Sequence, residues 1–139
     1  MATFNKFNSF VEALAEKVHN LQSDTLKVVL TNSAPSASNT VLADITQISG
    51  TNGYTTGGTQ ATLGSSQQTG GTYKLVLNDV TFTASGGSLG TFRYAVLYND
   101  TATNDELIGW WDYGTAVTIT NGNSFTVDFD ASNGVLTIA

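Results

Sequence analysis

Two adjacent tryptophans, Trp110 and Trp111, precede Asp112 in the stretch IGWWDYG, and they are the only tryptophans among 139 residues. An indole ring can stack on the apolar face of a sugar, and a nearby carboxylate can accept hydrogen bonds from sugar hydroxyls. Tryptophan is also typical of protein cores and protein interfaces. Successive side chains of a strand point to opposite faces, so at most one of the two lies in a core between sheets. We therefore favour one core residue and one interface residue over a sugar platform.

Acid–base chemistry has few candidates in this sequence. The single histidine, His19, lies on a predicted N-terminal amphipathic helix, and no nucleophile lies at a spacing typical of a catalytic pair. Two carboxylate pairs occur, Asp105 with Glu106 and Asp128 with Asp130, and the second pair is predicted on one side of one strand. Glycosidases need two acids across a cleft, but an acidic β-protein contains such pairs by chance. The sequence therefore predicts a protein that is not an enzyme, with no catalytic residue and no cofactor.

Metal binding is weakly indicated. The stretch DFDASNG, residues 128–134, partly resembles a calcium loop, but it lacks glycine at the sixth position and has Ala139 at the twelfth, where an EF-hand places glutamate. We favour a solvated turn and no metal, with a looser calcium site near Asp128 and Asp130 as the alternative. The chain has no cysteine, which excludes disulfides, thiolate metal sites and cysteine nucleophiles.

The composition narrows the class of protein. Charged residues make up only 12% of the chain, and Thr, Ser, Asn and Gly fill much of the remainder, which favours a β-protein with uncharged, hydroxyl-rich faces. The net charge is -6, and the five basic residues are scattered, so direct nucleic-acid binding is not expected. The sequence shows neither a signal-peptide pattern nor 18 consecutive apolar residues, so we expect no membrane association.

The N-terminal segment predicts an amphipathic helix over residues 1–22, with a docking or oligomerisation role. Its apolar side chains recur at spacings of 3, 4, 3, 4 and 3 residues, which places them on one side of a helix. Ser9 and Glu12 form a capping-box pattern, which favours a regular helix from Phe10. The stripe is too short for an autonomous coiled coil, so it should pack on the chain's own β-domain or on a neighbouring subunit.

After Asp24 the apolar period changes from 3.6 to 2. A strand is predicted over residues 25–32, followed by a loop around Pro35, and residues 40–48 are typical of a short strand or one helical turn. The glycine-rich segment 49–72 predicts extended arms or edge strands around turns, and it is the segment we expect to be most mobile or ordered by a partner.

Six further strand-like runs follow between Tyr73 and Ile138. Residues 92–99 are apolar on both sides, as in a central strand that is covered on both faces. Asn121–Gly122 and Asn133–Gly134 predict two tight hairpins. We therefore predict a mainly β protein: an antiparallel β-sandwich or jelly-roll-like body of about eight strands over residues 23–139, with one N-terminal amphipathic α-helix.

A family resemblance runs over nearly the whole chain, from Phe4 to Leu136. It is carried by three stretches: FNKFNSFVEALAEKVHNLQSDTLKVVLTNSAPSASNTVLADITQISGTNGYT, GGTYKLVLNDVTFTASGGSLGTFRYAVLYND and LIGWWDYG. These resemble a family of small virion structural proteins from tailed bacteriophages. The shared patterns are strands and turns, so no functional residue is carried over.

The resemblance implies a structural protein of the phage particle, of the capsid decoration or cement type. The implied partner is the major capsid protein, with a dimer or trimer on the outer surface of the head, after synthesis in the host cytoplasm. A neck, tail or head-fibre component that trimerises through its helix, and a carbohydrate-binding module for host attachment, are the alternatives. The predicted interface residues are Phe4, Phe7, Val11, Leu14, Val18, Leu21, Trp110 and Trp111.

Overall fold

The computed structural model describes residues 2–139, and within them the chain forms ten strands, one α-helix and one 3₁₀ turn. In chain order the elements are β1 (Phe4–Lys6), α1 (Asn8–Ala15), β2 (Leu26–Thr31), the 3₁₀ turn (Leu42–Asp44), β3 (Thr59–Gln60), β4 (Leu63–Thr69), β5 (Thr72–Leu77), β6 (Val80–Thr83), β7 (Phe92–Asn99), β8 (Leu107–Val117), β9 (Ser124–Val127) and β10 (Leu136–Ile138).

The strands pair antiparallel in three sheets. A five-stranded sheet has the order β1–β8–β7–β2–β3, a three-stranded sheet has the order β10–β5–β4, and β6 pairs with β9. One apolar core, which includes Val28, Leu75 and Phe82, joins side chains from all three sheets. The prediction of a mainly β, antiparallel sandwich-like protein with an N-terminal helix is confirmed, with ten strands in place of about eight.

The five-stranded sheet is covered on both faces. Ala95 and Leu97 of β7 belong to the core between the sheets, whereas Val96 and Tyr98 belong to a second cluster on the opposite face. The segment between β2 and β3 covers that second cluster, and it supplies Ile45 to it. Seven of the eight residues of β7 are buried, which confirms the prediction of a central strand.

The structure also shows the conformations of the predicted loop and of the glycine-rich segment. Residues around Pro35 form no helix or strand, and Leu42–Asp44 takes the helical alternative as a single 3₁₀ turn. The glycine-rich segment contains two edge strands, β3 and β4, as predicted. Gly70 and Gly71, with φ angles of 59° and 89°, form the tight turn between β4 and β5.

The two predicted hairpins are wrong. Gly122 and Gly134 do adopt positive φ angles and the chain turns at both places. However, β9 pairs with β6 and β10 pairs with β5, so neither turn joins neighbouring strands. Turn residues determine a local change of direction, but the strand that follows pairs wherever its apolar face is best buried.

The helix predicted over residues 1–22 is much shorter than expected. Met1 lies outside the described residues, Phe4 lies on β1, and α1 covers only Asn8–Ala15. The backbone of residues 4–6 pairs with the edge of β8, where it gains hydrogen bonds and covers an edge that would otherwise be exposed. Such tertiary pairing outweighs helix formation in so short a segment. The N-terminal residues are therefore part of the β-body and not a separate helical unit.

Both ends of α1 differ from the predicted pattern. Phe7 is the N-cap, and no side chain caps the helix, so Ser9 and Glu12 do not form the predicted capping box. At the other end, Lys17 N–H donates to Leu14 O and Val18 N–H donates to Ala13 O, which is a Schellman motif. Lys17 occupies the left-handed position of that motif, with φ of 69°. The helix therefore ends before the apolar spacing does.

Gly109 allows β1 to lie close to β8. A Cβ atom at this position would overlap Cε2 and Cζ of Phe4 and would lie 2.7 Å from the carbonyl oxygen of Asn5. The ring of Phe4 therefore rests on the bare backbone of Gly109, next to Trp111. Any side chain at residue 109 must displace Phe4 or the β1 backbone.

We expect Gly109→Ala to lower the free energy of unfolding by roughly 1–3 kcal/mol, as is usual for overpacking. Urea denaturation measures this change. Thr115→Ala, on an exposed part of the same strand, is the control and should change the value by less than about 0.5 kcal/mol. Equal stability of Gly109→Ala and the wild type would contradict the close contact between β1 and β8.

Candidate functional site

Trp110 and Trp111 point to opposite faces of β8, as the alternation of a strand predicts. Trp111 is only 7% exposed and lies between Phe4 and Phe129, with ring centroids 5.4 Å and 5.3 Å away. Trp110 is half-buried on the other face, 4.6 Å from the ring of Phe7. Both indoles thus pack against aromatic rings of the same chain. An interface role for Trp110 stays a prediction.

Asp112 belongs to an ion pair. Its Oδ1 and Oδ2 accept hydrogen bonds from Arg93 Nε and Nη2 at 2.8 Å and 3.1 Å, and Oδ1 also accepts from the N–H of Gly114 at 2.8 Å. The hydrogen bond from Arg93 is the main reason that the pKa of Asp112 is lowered. The pair joins β7 to β8 where the register shifts between Phe92 and Tyr94. The acid beside the tryptophans thus has a structural partner within the chain.

The two predicted carboxylate pairs lie in different surroundings. Asp105 precedes β8, and its pKa is raised by burial first and then by the charges of Asp100 and Glu106. Asp128 and Asp130 follow the end of β9, so the prediction that they share one side of a strand is wrong. Asp128 is exposed, Asp130 caps a turn, and both line a small pocket of about 140 Å³ beside Phe4 and Trp111.

The oxygens of Asp130 are used by its own turn. Oδ1 accepts from the N–H groups of Ser132 and Asn133 at 2.9 Å and 2.8 Å, and Oδ2 accepts from the Asn133 side chain. These hydrogen bonds lower the pKa of Asp130. Within residues 2–139, no group of three or more His, Asp or Glu side chains is placed to hold a metal ion. The hydrogen bonds of Asp130 form a turn at this position, and the calcium alternative stays untested.

His19 lies beyond α1 and is only 5% exposed, so its predicted position on the helix is wrong. Its Nδ1 is 3.0 Å from Nδ2 of Asn99, which also donates to Asp24 Oδ2 at 2.7 Å. Asn99 Oδ1 accepts two backbone N–H groups, so its Nδ2 is the donor toward His19. His19 Nδ1 is therefore the acceptor, and the proton of the neutral ring is on Nε2.

Burial holds His19 neutral. Burial lowers its pKa from 6.5, and this effect outweighs the charges of Glu106 and Asp24, which raise it. Two buried atoms here, His19 Nε2 and Glu106 Oε2, have no hydrogen-bond partner among the described residues. Burial of a polar atom without a hydrogen-bond partner costs free energy.

An open apolar groove, which we call the α1–β10 groove, is the most distinctive surface feature. It has a volume of about 460 Å³ and continues past Ile138 into a second, shallower depression of about 420 Å³ beside His19 and Tyr73. Val11 and Ile138 are 53% and 43% exposed in it. The groove is lined by Phe4, Lys6, Phe10, Val11, Leu14, Leu136, Thr137 and Ile138.

The predicted N-terminal stripe is divided between the core and this groove. Phe7 and Leu21 are buried within the chain, and Val18 is exposed just beyond the helix. Three residues of the stripe, Phe4, Val11 and Leu14, line the groove. The structure therefore brings half of the predicted stripe to one surface.

Sequence reasoning missed five of the eight residues that line the groove. Phe10, Leu136 and Ile138 line it, but none was predicted as an interface residue. The apolar alternation of Leu136 and Ile138 indicates a strand, but alternation does not reveal that the strand lies at a sheet edge. Lys6 also lines the groove, and nothing in its sequence context indicates this.

No protein-family model matches the chain, and no curated protein or solved structure is significantly similar to it. Neither the helix nor the 3₁₀ turn within residues 2–139 has the length and apolar character needed to cross a lipid bilayer. The resemblance to virion structural proteins stays a prediction from the sequence.

The buried neutral His19 predicts an acid-sensitive fold. Below about pH 6.5 the unfolded chain protonates this residue while the folded chain does not, so the free energy of unfolding falls as pH decreases toward the lowered folded-state pKa. One additional proton bound by the unfolded chain lowers the free energy of unfolding by at most about 1.4 kcal/mol per pH unit. In His19→Gln this part of the slope should disappear in urea titrations between pH 7 and pH 5. Identical slopes for both proteins would show that His19 does not carry the effect.

Proposed function

We propose that the protein is a non-enzymatic structural subunit of a tailed-bacteriophage particle. In this proposal it decorates the outer surface of the head and binds the major capsid protein through the α1–β10 groove. The sequence resemblance supports the class of protein. The observation that supports docking most directly is the exposed apolar groove on an acidic protein whose surface is rich in hydroxyl and amide side chains.

Half of the exposed large apolar residues among the described residues line this groove. Four large apolar side chains are exposed among the described residues, namely Val11, Val18, Leu63 and Ile138. Val11 and Ile138 line the groove, and Val18 follows Lys17, which borders its continuation. Clustered apolar exposure of this kind marks an interaction surface, whereas single exposed apolar residues are ordinary. A docking role therefore fits this face better than any other face of the molecule.

A structural role also agrees with the positions of the titratable side chains. Asp112 pairs with Arg93, Asp130 caps a turn, and His19 lies in a buried hydrogen-bond network. Each of these groups serves the fold of this chain. A docking subunit needs a rigid body and an apolar contact surface, and both are present.

Stabilisation of a head by such a subunit follows from mass action. A subunit that binds the assembled shell better than its broken form raises the free energy needed for rupture at every occupied site. Many sites on one shell turn modest individual affinities into a large total effect. No chemical step is required.

The alternatives make different use of the same residues. A neck, tail or head-fibre component that trimerises through its helix needs an apolar stripe on α1, but Phe7 and Phe10 are buried within the chain. A carbohydrate-binding module needs a free aromatic face, and Trp110 is the only one of the two tryptophans with substantial exposure among the described residues. Both uses therefore receive less support than docking through the groove.

We expect purified protein to bind phage heads that lack it, with saturation at a copy number set by icosahedral symmetry. Val11→Asp and Ile138→Asp should each weaken binding more than tenfold, because each places a charge in the apolar groove. Leu63→Asp is the matched control, since Leu63 is 41% exposed but does not line the groove, and it should bind as the wild type does. Sedimentation of mixtures with heads measures the bound copies, and heating of the loaded heads measures their stability.

Failure of the wild type to bind heads would refute a head-decoration role. In that case a stable trimer in solution that Val11→Asp dissociates would favour the stalk, and glycan binding that Trp110→Ala abolishes would favour the carbohydrate module.

A further inference from the structure

The α1–β10 groove lies between two strands whose outer edges are unpaired. Within residues 2–139, β1 pairs only with β8 and β10 pairs only with β5. Phe4 and Lys6 of β1 lie on one side of the groove, and Leu136 and Ile138 of β10 lie on the other. An unpaired edge presents N–H and C=O groups that can pair with another strand. The groove thus combines apolar contact surface with free backbone hydrogen-bonding groups.

Of the two edges, β10 is the better placed to receive a strand. Ile138 borders both the groove and its continuation toward Tyr73, whereas β1 borders only the groove itself. The described part of β10 is three residues long. An added strand of roughly three to five residues, about 10–17 Å in extended form, would match it.

The charges around the groove indicate an acidic partner. Lys27 and Arg93 form ion pairs with Asp100 and Asp112. Lys74 donates to a backbone carbonyl. The remaining two basic side chains, Lys6 and Lys17, have no ion-pair or hydrogen-bond partner among the described residues.

Those two lysines are the ones that border the groove. Lys6 lines the groove itself and Lys17 lines its continuation, and no Asp or Glu lines either of them. The protein as a whole has a net charge of -6. An apolar surface with only positive charge at its borders is complementary to an apolar segment that carries carboxylates.

Lys17 supplies a second, independent observation. It occupies the left-handed position of the Schellman motif with φ of 69°, where glycine is strongly preferred. A lysine there costs backbone strain that glycine would avoid. Strained residues are concentrated at functional positions. The Lys17 side chain is exposed and lines the continuation of the groove.

We propose that the α1–β10 groove binds an extended, acidic segment of a partner protein, which adds as a strand to the free edge of β10. Alternate apolar side chains of that segment enter the groove, and its carboxylates pair with Lys6 and Lys17. The identity of the partner, the capsid protein, rests on the proposed function. The chemistry of the bound segment does not depend on it. A second copy of this chain is disfavoured, because a symmetric contact would bring the lysines of both grooves together.

Three immobilised peptides test the chemistry of the segment. All three contain the sequence Val-Thr-Val-Thr-Val. They differ only in the residue that flanks this sequence at both ends, which is glutamate in the first peptide, glutamine in the second and lysine in the third. We expect the glutamate peptide to bind most tightly and the lysine peptide most weakly. Amide hydrogen exchange of the complex should show protection at residues 137–139.

Lys17→Gly separates binding from folding. It should weaken binding of the glutamate peptide by roughly two- to fivefold, the worth of a partly exposed ion pair. It should also raise the melting temperature by roughly 2–4 °C, because the backbone strain is relieved. Lys74→Gln removes the same charge outside the groove and should leave peptide binding unchanged. A merely structural lysine would not produce opposite changes in stability and binding.

Several outcomes would overturn the inference: no binding of any peptide, equal binding of the glutamate and lysine peptides, protection away from β10, or a dimer that Lys17→Gly weakens. Binding to phage heads without protection at β10 would refute this inference and leave the proposed function standing. Peptide binding at β10 without binding to heads would support the inference and refute the proposed function.

Discussion

The burial of the central sheet on both faces is the constraint on which the rest of the structure depends. Along β7, Ala95 and Leu97 enter one core while Val96 and Tyr98 enter another, so each face needs its own cover. The smaller sheets cover one face. The long segment between β2 and β3 covers the other, where Tyr98 Oη donates to Gly57 O at 2.7 Å. The irregular segment is thus as necessary to the sheet as its neighbouring strands are.

The same constraint explains the adjacent tryptophans and the N-terminal segment. Because β8 alternates between the two cores, Trp110 and Trp111 serve opposite faces, and Phe7 and Phe4 provide a packing partner for each. One short segment therefore covers the edge of β8 and contributes to both cores. It leaves open a space between its own outer edge and β10. The α1–β10 groove is therefore an opening in the sandwich that the chain does not close.

Much of the fold was predictable from residue patterns, and the candidate site largely was not. Alternation identified the strand 92–99 and the opposite faces of the tryptophans, since both follow from the geometry of a single strand. Strand partners were not predictable, because turns such as Asn121–Gly122 do not determine which sheet the next strand joins. The helix over residues 1–22 was overestimated, since spacing alone cannot show that residues 4–6 gain more by pairing with β8. A groove between two unpaired edges depends on all of these outcomes together.

Two departures from local stability rules, at Lys17 and His19, lie beside the continuation of the groove. Lys17 is strained, and His19 Nε2 and Glu106 Oε2 are buried without partners, whereas the other side-chain polar atoms in this chain that are buried to the same degree are satisfied within the described residues. A sequence selected only for stability would place glycine at residue 17 and an apolar residue at 19. Natural proteins depart from local rules mainly where function requires it. Lys17 and His19 both line the continuation of the surface that we propose binds a partner.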